Sequence, residues 1–335
     1  MAKPVRRPIS LALQGGGAHG AYTWGVLDRL VEEEDRLDIQ AITATSAGAM
    51  NAAAFAAGYA IDGALGAQAT MEALWQAVSR VSAGFSLYGA LSPVAFAYAS
   101  ALQSIASPYD LNPLDVNPLR MVLNEVVDFD RIHDGPVKLF ICATDVQGGH
   151  VKVFSDGEVS ADAVLASACL PQTFRAVEIG DDVYWDGGYL GNPSLFPLIY
   201  SGAPADVLLV TLNPIRRKGV PKRAGEIQER LNEISFNAAL IGELRAIGFV
   251  QRLIDEGMLK EPMLKKYRRL NIHAIRGGDD LRELSLSTKY DTGWRFLKGL
   301  RDKGRDAAEA WLKGDAKHLG TKTSNIDLRK EFLDG

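Results

Sequence analysis

The chain has 335 residues, of which 47% are hydrophobic and 23% charged, with a formal net charge of −4 at pH 7. These values exclude a disordered chain and carry no global basic signature for nucleic acid; they suit one large α/β domain, or two smaller ones, around a sizeable core. The two cysteines, Cys142 and Cys169, lie in apolar runs and read as buried free thiols, not as a disulfide or a metal site.

Residues 1–8 are basic, but the apolar segment that follows ends at Leu13, which is too short for a secretory signal; the expected location is the cytoplasm. Residues 9–13 predict a buried strand and residues 14–20 a glycine loop. Residues 21–34 predict a helix with Tyr22, Val26, Leu27, Leu30 and Val31 on its apolar side. Residues 39–44 predict a second strand, Ser46 stands at a turn, and the alanine-rich residues 47–57 predict a helix. The order β-loop-α-β-turn-α calls for a parallel sheet with helices on its faces.

Residues 62–127 read as mainly helical and loop-like. Strands are expected at 137–143, 151–154, 207–212 and 270–275, and a hairpin at 177–179 and 183–185 around Gly180-Asp181-Asp182. Helices are expected at 161–168, 224–256 and 291–312. Two charge-free stretches, 39–61 and 81–109, have the length of a membrane span. Their Gly, Ala, Ser and Pro content argues against spanning, with Pro93 and Pro108 punctuating the second. The first reads as buried strand and helix. The second, with Phe85, Leu87, Tyr88, Leu91, Phe96, Tyr98 and Leu102, reads as core or as an apolar wall beside a site. The expected organisation is a tail (1–8), an α/β domain (9–276) and a helical C-terminal extension (277–335).

Three segments carry chemistry. In Ala44-Thr45-Ser46-Ala47-Gly48, a serine at a strand-to-helix turn is pushed out of the sheet to a helix N-terminus, where free N–H groups favour developing negative charge. The pattern is a near-miss to G-x-S-x-G, with Ala44 in the first glycine position; both flanking positions must be small, and Ala44 and Gly48 are. In Gln14-Gly15-Gly16-Gly17-Ala18-His19-Gly20 the glycines match G-x-G-x-x-G, but the acidic residue a dinucleotide site needs after the second strand is missing. Bare backbone turned toward one point also suits an oxyanion hole, and a tight turn that merely packs helix on strand is the plainer alternative. The third segment is Tyr184-Trp185-Asp186-Gly187-Gly188. Asp-Gly pairs occur at 62, 134, 156, 186 and 334, but only Asp186 follows an apolar pair and precedes two glycines.

A histidine base fits poorly. Of His19, His133, His150, His273 and His318, only the last two follow Asp186 as the Ser–Asp–His order of an α/β-hydrolase requires, and Ser46 comes early for that fold. A Ser46–Asp186 pair without histidine is therefore preferred.

Taken together, Gly15–Gly20, Ala44–Gly48 and Asp186–Gly188 resemble the patatin-like phospholipase family, over roughly residues 9–200. The weaker segments Ala143-Thr144-Asp145 and Ala166-Ser167-Ala168-Cys169-Leu170-Pro171 also look similar. The resemblance implies a three-layer α/β/α sandwich with a mostly parallel sheet, and a lipid acyl hydrolase with a Ser46–Asp186 dyad. Ser46 would attack an ester carbonyl, Asp186 would take its proton, and an oxyanion hole at Gly15, Gly16, Gly17 and Ala47 would hold the oxyanion through backbone amides. No metal or cofactor is implied. The partner implied is a phospholipid or other lipid ester, met by transient contact with a membrane surface; the basic clusters at 216–218, 222–223 and 265–269 read as solvated faces or headgroup contacts. A soluble esterase or acyltransferase and a catalytically silent lipid-binding protein are the alternatives. His19 stands where the family often has Arg or Lys, which predicts an activity that titrates near pH 6–7.

Overall fold

The computed structural model describes residues 6–89, 107–112, 114–277, 280–281, 284 and 286–334. Its strands are β1 (Arg7–Leu13), β2 (Leu37–Thr45), β3 (Lys138–Asp145), β4 (Val151–Ser155), β5 (Val177–Ile179), β6 (Asp182–Asp186), β7 (Asp206–Thr211) and β8 (Asn271–Arg276). They form one sheet in the order β5-β6-β3-β2-β1-β7-β8, with β4 also paired to β3. The pairs β3–β2, β2–β1, β1–β7 and β7–β8 are parallel; β4, β5 and β6 supply the antiparallel pairs.

Side chains that alternate along each strand divide the interior into two cores. Leu11, Leu13, Ile42, Ala44, Ile141, Leu208 and Val210 face one core; Ala12, Ala41, Phe140, Val207 and Leu209 face the other. The first core is covered by α1 (Gly20–Leu30), α2 (Ala47–Gly89) and the helix Trp294–Gly314. The second is covered by Phe196–Tyr200, Ala224–Asp255 and Leu328–Phe332. The result is the expected mostly parallel sheet between two helical layers.

Two boundaries differ from expectation for a local reason. The first helix ends at Leu30 and tightens into a 3-10 turn over Val31–Glu33. The helix after Ser46 runs on far past Ala57, broken at Asp62-Gly63, where Gly63 takes φ +52°. The side chains of 84–89 and all of 90–106 lie outside the described residues, so the expected apolar wall falls there. Among the described residues no helix is long and apolar enough to cross a membrane. Cys142 and Cys169 are free and buried.

The C-terminal residues share the first core. The Trp294–Gly314 helix crosses α1 closely at two glycines: a Cβ at Gly25 would lie 1.9 Å from the Arg301 carbonyl oxygen, and one at Gly304 2.0 Å from that of Tyr22. Trp24 and Trp294 stack at 5.9 Å beside this crossing.

Candidate active site

Strand register brings the two candidate residues to one end of the sheet. Along β3, Lys138–Cys142 pair with β2, and Cys142 faces Thr45. The next residue, Ala143, faces Asp186 of β6. β4 pairs with Phe140–Thr144 and so occupies the other edge of β3. A strand has two edges, so β2 and β6 must share one, end to end. Ser46 follows the last residue of β2 and Asp186 is the last of β6. The glycine after Asp186 permits this abutment: a Cβ on Gly187 would lie 2.1 Å from the Cys142 carbonyl oxygen and 3.0 Å from Thr45 Cγ2.

Ser46 takes φ +55°, a left-handed conformation that costs a non-glycine residue about 1 kcal/mol or more. The surroundings hold it there. Ser46 N–H donates to Ser167 Oγ at 2.8 Å, and the Ser167 hydroxyl donates to the Cys142 carbonyl at 2.6 Å. Ser46 thereby stands at the head of α2, whose first amides, that of Ala47 among them, have no acceptor within the helix. Asn51 ties the two glycine-flanked helices together, donating to the Gly20 and Ala47 carbonyls at 2.9 and 3.0 Å.

Asp186 is buried. Its Oδ1 accepts the Gly188 N–H at 2.7 Å, whereas Oδ2 makes no hydrogen bond. Loss of hydration pushes its pKa up to about 7, against the lowering effects of the Gly188 amide and of the Ser46 hydroxyl. The hydroxyl is thus near enough to stabilise the carboxylate, while its geometry falls short of a hydrogen bond.

The glycine loop lies directly on the serine turn. A Cβ on Gly15 would be 2.6 Å from Ser46 Cβ and 2.8 Å from the Thr45 carbonyl oxygen. Gly15 N–H donates to Asn192 Oδ1 at 2.7 Å, so this amide anchors the loop and is not free to meet a ligand. Among the described residues, the Gly16 N–H has no acceptor. Gly17 takes φ +60° and opens a short 3-10 turn. Gln14, buried beneath, organises the loop: its Oε1 accepts the Leu212 and Asn213 amides at 2.7 and 2.8 Å, and its Nε2 donates to Asn237 Oδ1 at 2.9 Å.

His19 departs from expectation. It is buried, with Nε2 2.7 Å from Thr288 Oγ1. Burial, helped by the neighbouring Lys289 charge, pushes its pKa down to about 4, so it is neutral across the range where it was expected to titrate. The other histidines lie apart from the serine in these contacts. His273 is buried between Asp206 Oδ1 (2.9 Å) and Ser324 Oγ (2.7 Å), binding the C-terminal segment to the sheet. His150 pairs loosely with Asp145 at 3.6 Å, and His133 Nδ1 lies 3.1 Å from the Asp156 carbonyl oxygen. Of the basic clusters, Arg217 is held by Glu233, whereas Arg216, Lys222 and Arg223 are exposed. Among the described residues no group of His, Cys, Asp and Glu could hold a metal ion.

Several supporting residues were not singled out from sequence. Asn192 and Asn213 look like ordinary loop asparagines, and Lys289 lies some hundred residues beyond Asp186 in a stretch without a motif. Only Gln14 carries a signal, as a polar residue closing an apolar strand; the sequence around Ser167 resembles the family but points to no role for that hydroxyl.

A mostly parallel sheet between two helical layers thus carries, at one end, a strained serine at a strand-to-helix turn, a glycine loop upon it and a buried carboxylate beside it. The chain belongs to the patatin-like phospholipase family, whose profile matches residues 11–199. Among solved structures, it is similar to VipD from Legionella pneumophila at 14% identity, covering 89% of this chain and 67% of that one with a TM-score of 0.39. It is also similar, at 19% identity and a TM-score of 0.27, to a chain of the SpcU–ExoU complex from the type III secretion system of Pseudomonas aeruginosa; that match covers 78% of this chain and 58% of the other. No curated protein matches.

Proposed function

We propose that the protein is a lipid acyl hydrolase that cleaves carboxylic esters, phospholipids foremost, through a Ser46–Asp186 dyad. The observation that carries this is a buried carboxylate with one unpartnered oxygen beside the hydroxyl of a serine held at φ +55°. Ser46 Oγ attacks the ester carbonyl as Asp186 Oδ2 takes its proton. The tetrahedral oxyanion is held by the amides of Gly16, Gly17 and Ala47, with Gly15 fixing the loop. Collapse expels the alkoxide, which takes the proton from Asp186 and leaves as the alcohol; the ionised Asp186 then takes a proton from water as it attacks the acyl-enzyme, and returns it to Ser46 as the acid departs. A base with a pKa near 7 suits both proton transfers at neutral pH. The substrate is reached from the water side, at a membrane surface that the protein contacts peripherally.

The test is a fluorophosphonate probe with adduct mapping, run beside phospholipid hydrolysis, on the wild type, Ser46→Ala and Asp186→Asn. The expected result is labelling at Ser46, absent in Ser46→Ala and slowed at least 100-fold in Asp186→Asn. An unlabelled Ser46 in the presence of lipid would overturn the reading in favour of a silent lipid-binding protein.

A further inference from the structure

We infer that Lys289 is a positioning residue that acts on the oxyanion loop through Asn213, a step beyond the dyad and resting on it. The turn Leu286–Tyr290 packs against the loop from outside: a Cβ on Gly17 would lie 2.5 Å from the Lys289 carbonyl oxygen, and Thr288 meets His19. Lys289 Nζ donates to Asn213 Oδ1 at 2.7 Å, and Asn213 Nδ2 donates to the Gly15 carbonyl at 3.2 Å. Only one orientation of the Asn213 amide satisfies both bonds. The Gly15 carbonyl and the Gly16 N–H belong to one conjugated peptide group. Electron density drawn toward the carbonyl oxygen leaves that N–H more positive, and hydrogen bonds in such a chain strengthen one another. The ammonium of Lys289 therefore sharpens the Gly16 amide as an oxyanion donor without touching substrate.

Burial lowers the pKa of Lys289, and the nearby Glu233 and Glu229 carboxylates oppose that shift and favour the ammonium. Lys289 lines a cavity of about 20 Å³ with His19, Arg217, Glu229 and Glu233. His19 there is neutral, and Glu233 is engaged by Arg217 at 2.7 Å and by Arg230 at 3.1 Å. A residue that polarises an oxyanion donor acts on the transition state more than on the bound ester, so its loss lowers kcat and not the affinity for substrate.

The experiment compares Lys289→Met and Lys289→Arg with the wild type, using a soluble nitrophenyl ester, a trifluoromethyl ketone that forms a tetrahedral adduct, and an unreactive ether analogue. For Lys289→Met, kcat should fall roughly 10-fold, below the cost of deleting a whole oxyanion donor, and ketone affinity should fall by the same factor. KM, ether affinity and Tm should be unchanged, and Lys289→Arg should restore most of the loss. Should Lys289→Met not fold, Lys289→Gln supplies the same comparison. Equal losses for ketone and ether, or an unaltered kcat, would overturn the relay while leaving the dyad intact. Failure of the wild type to form any adduct at Ser46 would overturn both.

Discussion

Asp186 sets the behaviour of the site at the residue scale. Its carboxyl keeps its proton to about pH 7 in the folded chain, because burial outweighs the Gly188 amide and the Ser46 hydroxyl. In the proposed mechanism the base is the ionised form, so kcat/KM should rise through pH 7 and level off above it. A profile flat from pH 5.5 to 8 would contradict that assignment. The same shift acts on stability with the opposite sign. Between about pH 4 and 7 the native state binds the proton that the unfolded chain has lost, so stability falls as pH rises. Asp186→Asn removes that penalty and should raise Tm at pH 8 but not at pH 4, the pattern of a residue kept for function. His19 shows why its own role was misjudged from sequence. An isolated histidine titrates near 6.5, but burial and Lys289 decide otherwise, and neither is visible in a linear chain.

Among elements, the decisive feature is that β2 and β6 meet end to end on one edge of β3. The Asp-Gly pairs at 156 and 186 make the contrast measurable. Gly157 faces open space, whereas a Cβ on Gly187 would strike the backbone of Cys142. Gly187→Ala should cost about 3 kcal/mol or more in urea unfolding and abolish probe labelling, while Gly157→Ala should be nearly neutral. Comparable ΔΔG values for the two would show that the abutment tolerates adjustment. In sequence the two pairs differ only in their neighbours, the apolar Tyr184-Trp185 and the second glycine; these singled out Asp186 but could not reveal the pairing.

For the whole molecule, the C-terminal residues complete both the core and the site. Leu297, Leu300 and Trp311 belong to the core shared with α1, and Lys289 packs its carbonyl oxygen against Gly17 and bonds Asn213. A chain ending at residue 276 would expose the buried face of α1, including Trp24 and Tyr22. Such a chain should aggregate or lose its cooperative transition in size-exclusion chromatography and circular dichroism. A monomeric, cooperatively folding truncation with full labelling of Ser46 would refute this.

Sequence alone was enough for the strands, the glycine loop, the serine turn and the pairing of Ser46 with Asp186 as candidates. Each of these depends on interactions between near neighbours: apolar periodicity, the small residues a sharp turn demands, the glycines of a bare loop. Tertiary structure alone decided which amides are spent on the scaffold, as at Gly15, which histidine is neutral, and which distant residues hold the site. Asn192 and Asn213 reach the loop by hydrogen bonds across 177 and 198 residues, and Lys289 reaches Asn213 across 76. Burial and long-range hydrogen bonds are properties of the packed chain, and local pattern carries no record of them.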